Sequence, residues 1–375
     1  MRTSKENLMS SKKSRQSNIE LLRIISMLMI LSCHFFSHGN FNFENNIWSV
    51  PAVWSYVIQL GGKLGAATFV FITGFFLIHD TTIFNFKKIA RFWGQIFFYS
   101  ITFYCLNSFL TAEFSIVNLI KSFFPLTFQI WWFASTYFVL FLLHPFINKL
   151  LLQLNKRSFQ TLICLLVFMW IIIPTFLFSS YQSNSLLTFI TIYCIAGYIR
   201  LYGLSPALKT KHFFFVFCFS CLIIYASNIA IRLLSNTFSF FEGKEYFFYE
   251  MNKLPLLIAA CSLFMMFSRI NLSYNKTINL LARASFGVYL IHDYPSVRDF
   301  LWLDLFKNNS YARTCLLIPY SIGVAILVYI TCSLIDLLRQ CSIEKVYILL
   351  TDKLIARFSP FTKKLYNKFL HFIFG

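Results

Sequence analysis

The sequence is poor in charge. Of its 375 residues only 13% are charged, and 14 acidic residues stand against 33 basic ones. Soluble domains run near a quarter charged. With 58% hydrophobic residues and a mean hydropathy of +0.65, this shortage excludes a soluble enzyme, a disordered protein and a secreted disulfide scaffold. It excludes a nucleic-acid binder too, despite the net charge of +19, because basic residues in so apolar a chain mark the cytosolic side of a membrane. The chain has no G-x-S-x-G, no H-E-x-x-H, no P-loop and no Gly-rich dinucleotide fingerprint. It has no internal repeat, no low-complexity linker and no soluble second domain. Its ten Cys do not form a disulfide framework, since most lie inside apolar runs, as Cys164, Cys194 and Cys332 do. Cys218 and Cys221 make a C-x-x-C with no His or other Cys beside it, so no metal site is expected.

Long apolar runs are what the chain has in abundance. The first covers Ile19 to Phe36 and is followed by no A-x-A-like cleavage site, so it reads as a retained span. Nine more runs are placed at 64–79, 92–110, 132–151, 159–178, 186–202, 213–233, 254–268, 284–302 and 314–338. The second and eighth are short, which suggests broken or tilted helices. The stretch 45–60, with Trp48, Pro51, Trp54 and Tyr56, reads as an interfacial segment. The expected fold is therefore all-α, a polytopic membrane bundle of about ten transmembrane helices. Residues 1–17 read as a disordered basic cytosolic tail, 18–338 as the membrane domain, and 339–375 as an amphipathic basic tail on the inner leaflet. With the N-terminus inside, 24 of the 33 Lys and Arg fall on the inner side, 8 on the outer side, and Arg23 lies within the first helix. Both termini are then cytosolic and the loop 179–185 is outside.

An ionisable residue within a span costs roughly 2.5–3.5 kcal/mol on insertion scales, so each one asks for a reason. Glu20 and Arg23 sit three apart near the inner end of the first helix and can pair. His34 lies on nearly the same face as Arg23, about 16 Å further along. His38, one turn on, reads as an outer-interface residue. His292 falls near mid-membrane, and Ser285, Tyr289 and His292 share one helix face at i, i+4 and i+7. Such a stripe faces the bundle interior, as a structural hydrogen-bonding surface or as part of a site. His144, before Pro145, reads as structural.

These residues carry a resemblance. Asn18 to His34, with Arg23, ten residues of spacer and then His34, resembles the opening helix of the acyltransferase-3 family of integral-membrane acyltransferases. Phe69-Val-Phe-Ile-Thr-Gly-Phe resembles the family's F-x-x-S-G-F second helix, with Thr73 in place of Ser. Lys88-Ile-Ala-Arg91 resembles its R-x-x-R pair, with Lys88 for the first Arg, which loses the bidentate fork. Ser285 to His292 resembles its S-x-x-x-Y-L-x-H helix, although Asp293 follows where the family is more often apolar. Trp131-Trp-Phe and His144-Pro145 are weaker echoes, and Asp336 stands where the family often has Glu in its last helix.

The resemblance implies a stand-alone, polysaccharide-modifying O-acyltransferase in a bacterial plasma or inner membrane. It implies transfer of an acyl group, usually acetyl, from cytosolic acyl-CoA to a sugar hydroxyl of a capsule or exopolysaccharide, or of its lipid-linked precursor. On this reading His34, Arg23 and His292 are catalytic, and His34 acts as general base or as nucleophile. Lys88 and Arg91 bind the CoA phosphates, Ser285, Tyr289 and Asp336 support, and acyl-CoA is a substrate, with no bound cofactor or metal. A transporter or flippase for a glycan lipid is the competing expectation, because it too would place His, Arg and Asp inside a helical bundle.

Overall fold

The computed structural model describes residues 15–43, 46–83, 85–178 and 182–374; beyond 357 the described side chains are those of Lys368 and His371. Most of the expected N-terminal tail lies outside the described residues. The described chain contains helices and no strands. In order they are α1 (Ser17–Ser37), α2 (Val50–Gln59), α3 (Gly61–Leu77), α4 (Phe86–Thr111), α5 (Ile116–Phe123), α6 (Trp132–Gln153), α7 (Lys156–Val167) and α8 (Ile173–Phe176). Then follow α9 (Ser185–Tyr202), α10 (Thr210–Ser235), α11 (Leu254–Ser268), α12 (Lys276–His292), α13 (Pro295–Asp299), α14 (Leu317–Cys341) and α15 (Ile343–Phe374). Among the described residues, eight segments are long and apolar enough to cross a membrane: 17–37, 50–77, 132–153, 156–176, 185–202, 210–235, 247–268 and 317–357. The chain is a multi-pass membrane protein.

Two expected spans are absent from those eight. α4 is long but carries Lys87, Lys88, Arg91 and Gln95 in its first turns. α12 stops at His292, and Pro295 opens α13 after a bend, so the expected span 284–302 is a broken helix. α12 packs against α1 and α14, and α4 against α12 and α15.

The stretch expected as interfacial, 45–60, holds helix α2. Ser49 caps α2 by accepting from the Ala52 amide, Pro51 sits in the first turn where its missing N–H costs nothing, and Ala52 and Tyr56 are buried. α2 runs into α3 through a break at Leu60, which lies before the expected second span; that span, 64–79, falls in α3 and is not interrupted. Neither is the eighth: α11 is continuous. The C-terminal stretch is helical as expected, with α15 packed on α4.

Between lipid-exposed helices there is no hydrophobic driving force, so close packing must hold them together. α3 is the packing centre, touching α1, α9 and α11. A Cβ on Gly65 would lie 2.5 Å from the Ser26 carbonyl oxygen, and one on Gly74 would lie 2.7 Å from that of Tyr193. The small residues of α3 therefore let neighbouring backbones touch. On α12, Gly287 does the same toward α14: a Cβ there would collide with the Asp336 side chain.

Two internal prolines show how freed carbonyls are satisfied. Pro145 cannot donate to the Phe141 carbonyl, and His144 Nδ1–H donates to it instead, at 2.5 Å. Pro174 follows a π-helical turn over Phe168–Ile172, and the Ser183 hydroxyl donates to the Trp170 carbonyl, four residues before the proline, at 3.4 Å. His144 is thus structural, as the sequence indicated.

Contacts at the helix ends fix the antiparallel arrangement. At one end the Asn18 side chain of α1 donates to the Phe267 carbonyl of α11 (2.9 Å), and Lys87 meets Asp352 (2.7 Å). At the other, Tyr249 donates to the Tyr56 carbonyl (2.9 Å) and Asn308 to the Phe35 carbonyl (2.7 Å).

Candidate active site

A cavity of about 620 Å³ runs along α1 between these two ends. At the end where α1 begins, its wall carries five basic side chains, Arg15, Arg23, Lys88, Arg91 and Arg283. Acidic partners hold four of them in place, among them Arg15, 3.9 Å from Glu20. Arg23 lies 3.8 Å from Glu20, Lys88 Nζ 2.6 Å from Asp80, and Arg91 Nε 3.0 Å from Glu344. The middle is lined by Met27, Ile30, Phe69, Thr73, Phe92, Phe133, Tyr137 and Tyr289. The far end is lined by Ser37, His38, Gln59, Lys63, Trp132, Tyr246, Tyr249 and Glu250.

His34 reaches the cavity from the last turns of α1, and His292 sits behind it. His34 Nδ1 is 3.0 Å from His292 Nε2. His292 is fully buried, and its Nδ1 lies 2.6 Å from the Val288 carbonyl one turn back on α12. A carbonyl oxygen can only accept, so His292 Nδ1 carries a proton. In the neutral pair, His292 Nε2 is then a lone pair that accepts from His34 Nδ1–H. This leaves His34 Nε2 as the basic nitrogen. The Asp293 carboxylate lies 3.5 Å from His34 Nδ1 and 3.8 Å from Arg298. It supplies negative charge beside the pair, and its guanidinium partner limits that charge.

His38 packs edge-on against His34, with ring centroids 5.2 Å apart. It also belongs to the cavity wall, at the end of α1. His34, His38 and Asp293 bring ligand-capable atoms within 4.8 Å of one another. A cation there would compete with Arg298 for Asp293 and with the His34–His292 bond for Nδ1, so the residues do not form a ready site.

The structure brings together most of the residues singled out from sequence. Arg23, Lys88, Arg91, His34, Ser285 and Tyr289 all line the cavity, and His292 backs it. The Ser285 hydroxyl also meets Tyr329 at 3.2 Å. Asp336 does not line the cavity. It is fully buried and takes hydrogen bonds from Gln95 (3.1 Å), Tyr99 (2.9 Å), Arg339 (2.8 Å) and Gln340 (2.6 Å). Those bonds clamp α14 to α4, so its support is indirect. Arg15, Arg283, Lys63 and Trp132 were not picked out as site residues. As Lys or Arg at helix ends, the first three served only the orientation argument.

A buried histidine pair facing a cavity that is cationic at one end, inside a multi-pass membrane bundle, is the layout of a membrane-embedded group-transfer enzyme. The family model described as an acyltransferase domain matches residues 16–334, and the chain belongs to this acyltransferase-3 family. No curated protein and no solved structure matches the chain.

Proposed function

We infer that the protein is an O-acyltransferase that uses cytosolic acyl-CoA, with acetyl the usual group, to modify a sugar hydroxyl of a cell-surface polysaccharide or its lipid-linked precursor in a bacterial plasma or inner membrane. The observation that carries this reading is the position of His34, whose Nε2 is the basic nitrogen of a buried pair at a cavity with five cations at one mouth. Basic side chains recognise phosphates through charge-assisted hydrogen bonds, so that mouth suits the nucleotide end of CoA. The apolar middle suits the pantetheine arm and the thioester. The far mouth, with Gln59, Glu250 and several aromatic rings, suits a polar, hydroxyl-rich acceptor.

In the reaction His34 Nε2 takes the proton of the sugar hydroxyl as that oxygen attacks the thioester carbonyl. The C–O bond forms, the C–S bond breaks, and the proton passes from His34 to the CoA thiolate. While His34 is an imidazolium, its Nδ1–H still donates to His292 Nε2, and the Asp293 carboxylate offsets the charge. His292 and Asp293 are thus positioning groups, and His34 touches the reacting atoms.

The test is label from acyl-CoA in the glycan. Membranes holding the protein should transfer radiolabelled acetyl from acetyl-CoA to the glycan. Glycan that crosses the membrane unmodified, with no label incorporated, would favour the transporter reading instead.

A further inference from the structure

The far mouth of the large cavity opens on a second, smaller one. This chamber of about 340 Å³ is separated from the first by three side chains that line both, Lys63, Trp132 and Glu250. Lys63 Nζ lies 4.0 Å over the Trp132 ring and 3.7 Å from a Glu250 carboxylate oxygen. The partition is therefore a cation held between an aromatic face and a carboxylate, at the tip of side chains rather than in backbone. A partly exposed pair of this kind is weakly held and can part.

Beyond the partition the wall changes character. Ser183, Ser185 and Asn252 bring hydroxyl and amide groups, and Trp132 and Phe247 bring aromatic faces. The frame is fixed by hydrogen bonds: Asn252 Nδ2 donates to Ser183 Oγ (3.3 Å), and Lys253, only 3% exposed, donates to the Pro174 carbonyl (3.0 Å) while lying 3.7 Å from the Phe247 ring centroid. Both lysines are thus engaged, one with Glu250 and one with a carbonyl and a ring. The volume is at the lower end of the roughly 300–1,000 Å³ usual for small-molecule sites. A sugar ring has an apolar C–H face and a rim of hydroxyls, and it needs an aromatic plate and a ring of short polar side chains. This chamber offers both, and it offers no phosphate-binding cluster.

We propose that the chamber holds one sugar ring of the acceptor, stacked on Trp132 and hydrogen-bonded by Ser185, Asn252 and Glu250, and that displacement of Lys63 passes its hydroxyl to His34. The proposal rests on the acyltransferase reading above and specifies where the acceptor waits.

The test fills the chamber and reads donor and acceptor separately. Asn252→Trp should lower acetyl incorporation into the glycan at least tenfold in cells, while purified protein in lipid nanodiscs binds CoA as the unaltered protein does. Incorporation at the wild-type rate would overturn the proposal. If CoA binding also falls, a milder variant decides. Asn252→Cys is labelled with a membrane-impermeant maleimide in the presence of methyl glycosides of glucose, galactose, rhamnose and N-acetylglucosamine. Slower labelling with at least one glycoside supports the site, and equal rates with all four overturn it. Failure of the acyltransferase reading itself would show differently, as wild-type protein that transfers no label from acetyl-CoA at all.

Discussion

The two mouths of the large cavity are built from opposite materials. One gathers five basic side chains on α1, α4, α12 and the segment before α1. The other has one lysine, already held by Glu250 and Trp132, among aromatic and amide groups. A cavity serving one ligand would need one kind of mouth. Two kinds of mouth suit the donor and the acceptor proposed above, with His34 on the cavity wall between them.

The sharpest way to break this contrast is to remove its centre. His34→Ala should lower acyl transfer by at least about 100-fold, the low end of what general-base catalysis contributes. The helix should still insert, because Ala is less costly in lipid than His. A variant present at normal levels that acylates at near the wild-type rate would return His34 to the status of a packed polar residue. His292→Ala should cost less, on the order of tenfold, because it removes a positioning group and not the base. Its loss should appear in the maximal rate, with the Michaelis constants for donor and acceptor little changed.

The cationic mouth is tested by its effect on the donor alone. Arg283→Gln, and separately Arg91→Gln, should raise the Michaelis constant for acyl-CoA about three- to tenfold, the size expected for one hydrogen bond of about 1 kcal/mol net strength. The constant for the acceptor should hold. Which mouth faces the cytosol is a separate question. A Cys placed at Ser183 should label from outside, and one at Lys209 only after permeabilisation; the reverse pattern would exchange donor and acceptor ends.

The smallest effect concerns the loop after α3. Burial pushes the Asp80 carboxyl up, but hydrogen bonds from Lys88 and Thr82 outweigh it and hold the group below the usual carboxylate range. A lowered folded value means that Asp80 stabilises the fold above the ordinary carboxylate pKa and that this contribution is lost as pH falls through the folded value. Asp80→Asn should therefore narrow the difference in thermal stability between pH 7 and pH 3, which melting curves at the two pH values would measure.

The core of the site was legible because membranes make ionisable residues expensive. His34, His292 and Arg23 lie within apolar runs, where only a function or a partner explains them. Helical periodicity placed Ser285 and Tyr289 on the cavity side. Asp336 was singled out only through the resemblance and not as a clamp: Arg339 and Gln340 stand at i+3 and i+4, but Gln95 and Tyr99 come from α4 and no spacing along the chain reveals them. Arg15, Arg283 and Lys63 stand at the edges of the expected apolar runs, where a basic residue is expected anyway, so nothing local separates a ligand contact from an anchor. Aromatic residues and a proline marked 45–60 as an interfacial segment without assigning it a secondary structure; the Ser49 cap and the first-turn place of Pro51 show it to hold a helix.

Gly287 gives the bundle an unusual point of inheritance. The Asp336 side chain occupies the space where any other residue would carry its first side-chain carbon. One methyl group at 287 would have to push α12 away from α14, and His292 rides on the same helix five residues on. The distance between the two histidines is thereby tied to a hydrogen atom on the opposite flank of the helix. Among descendants of this sequence, position 287 should be as intolerant of change as the histidines themselves, although it touches neither of them.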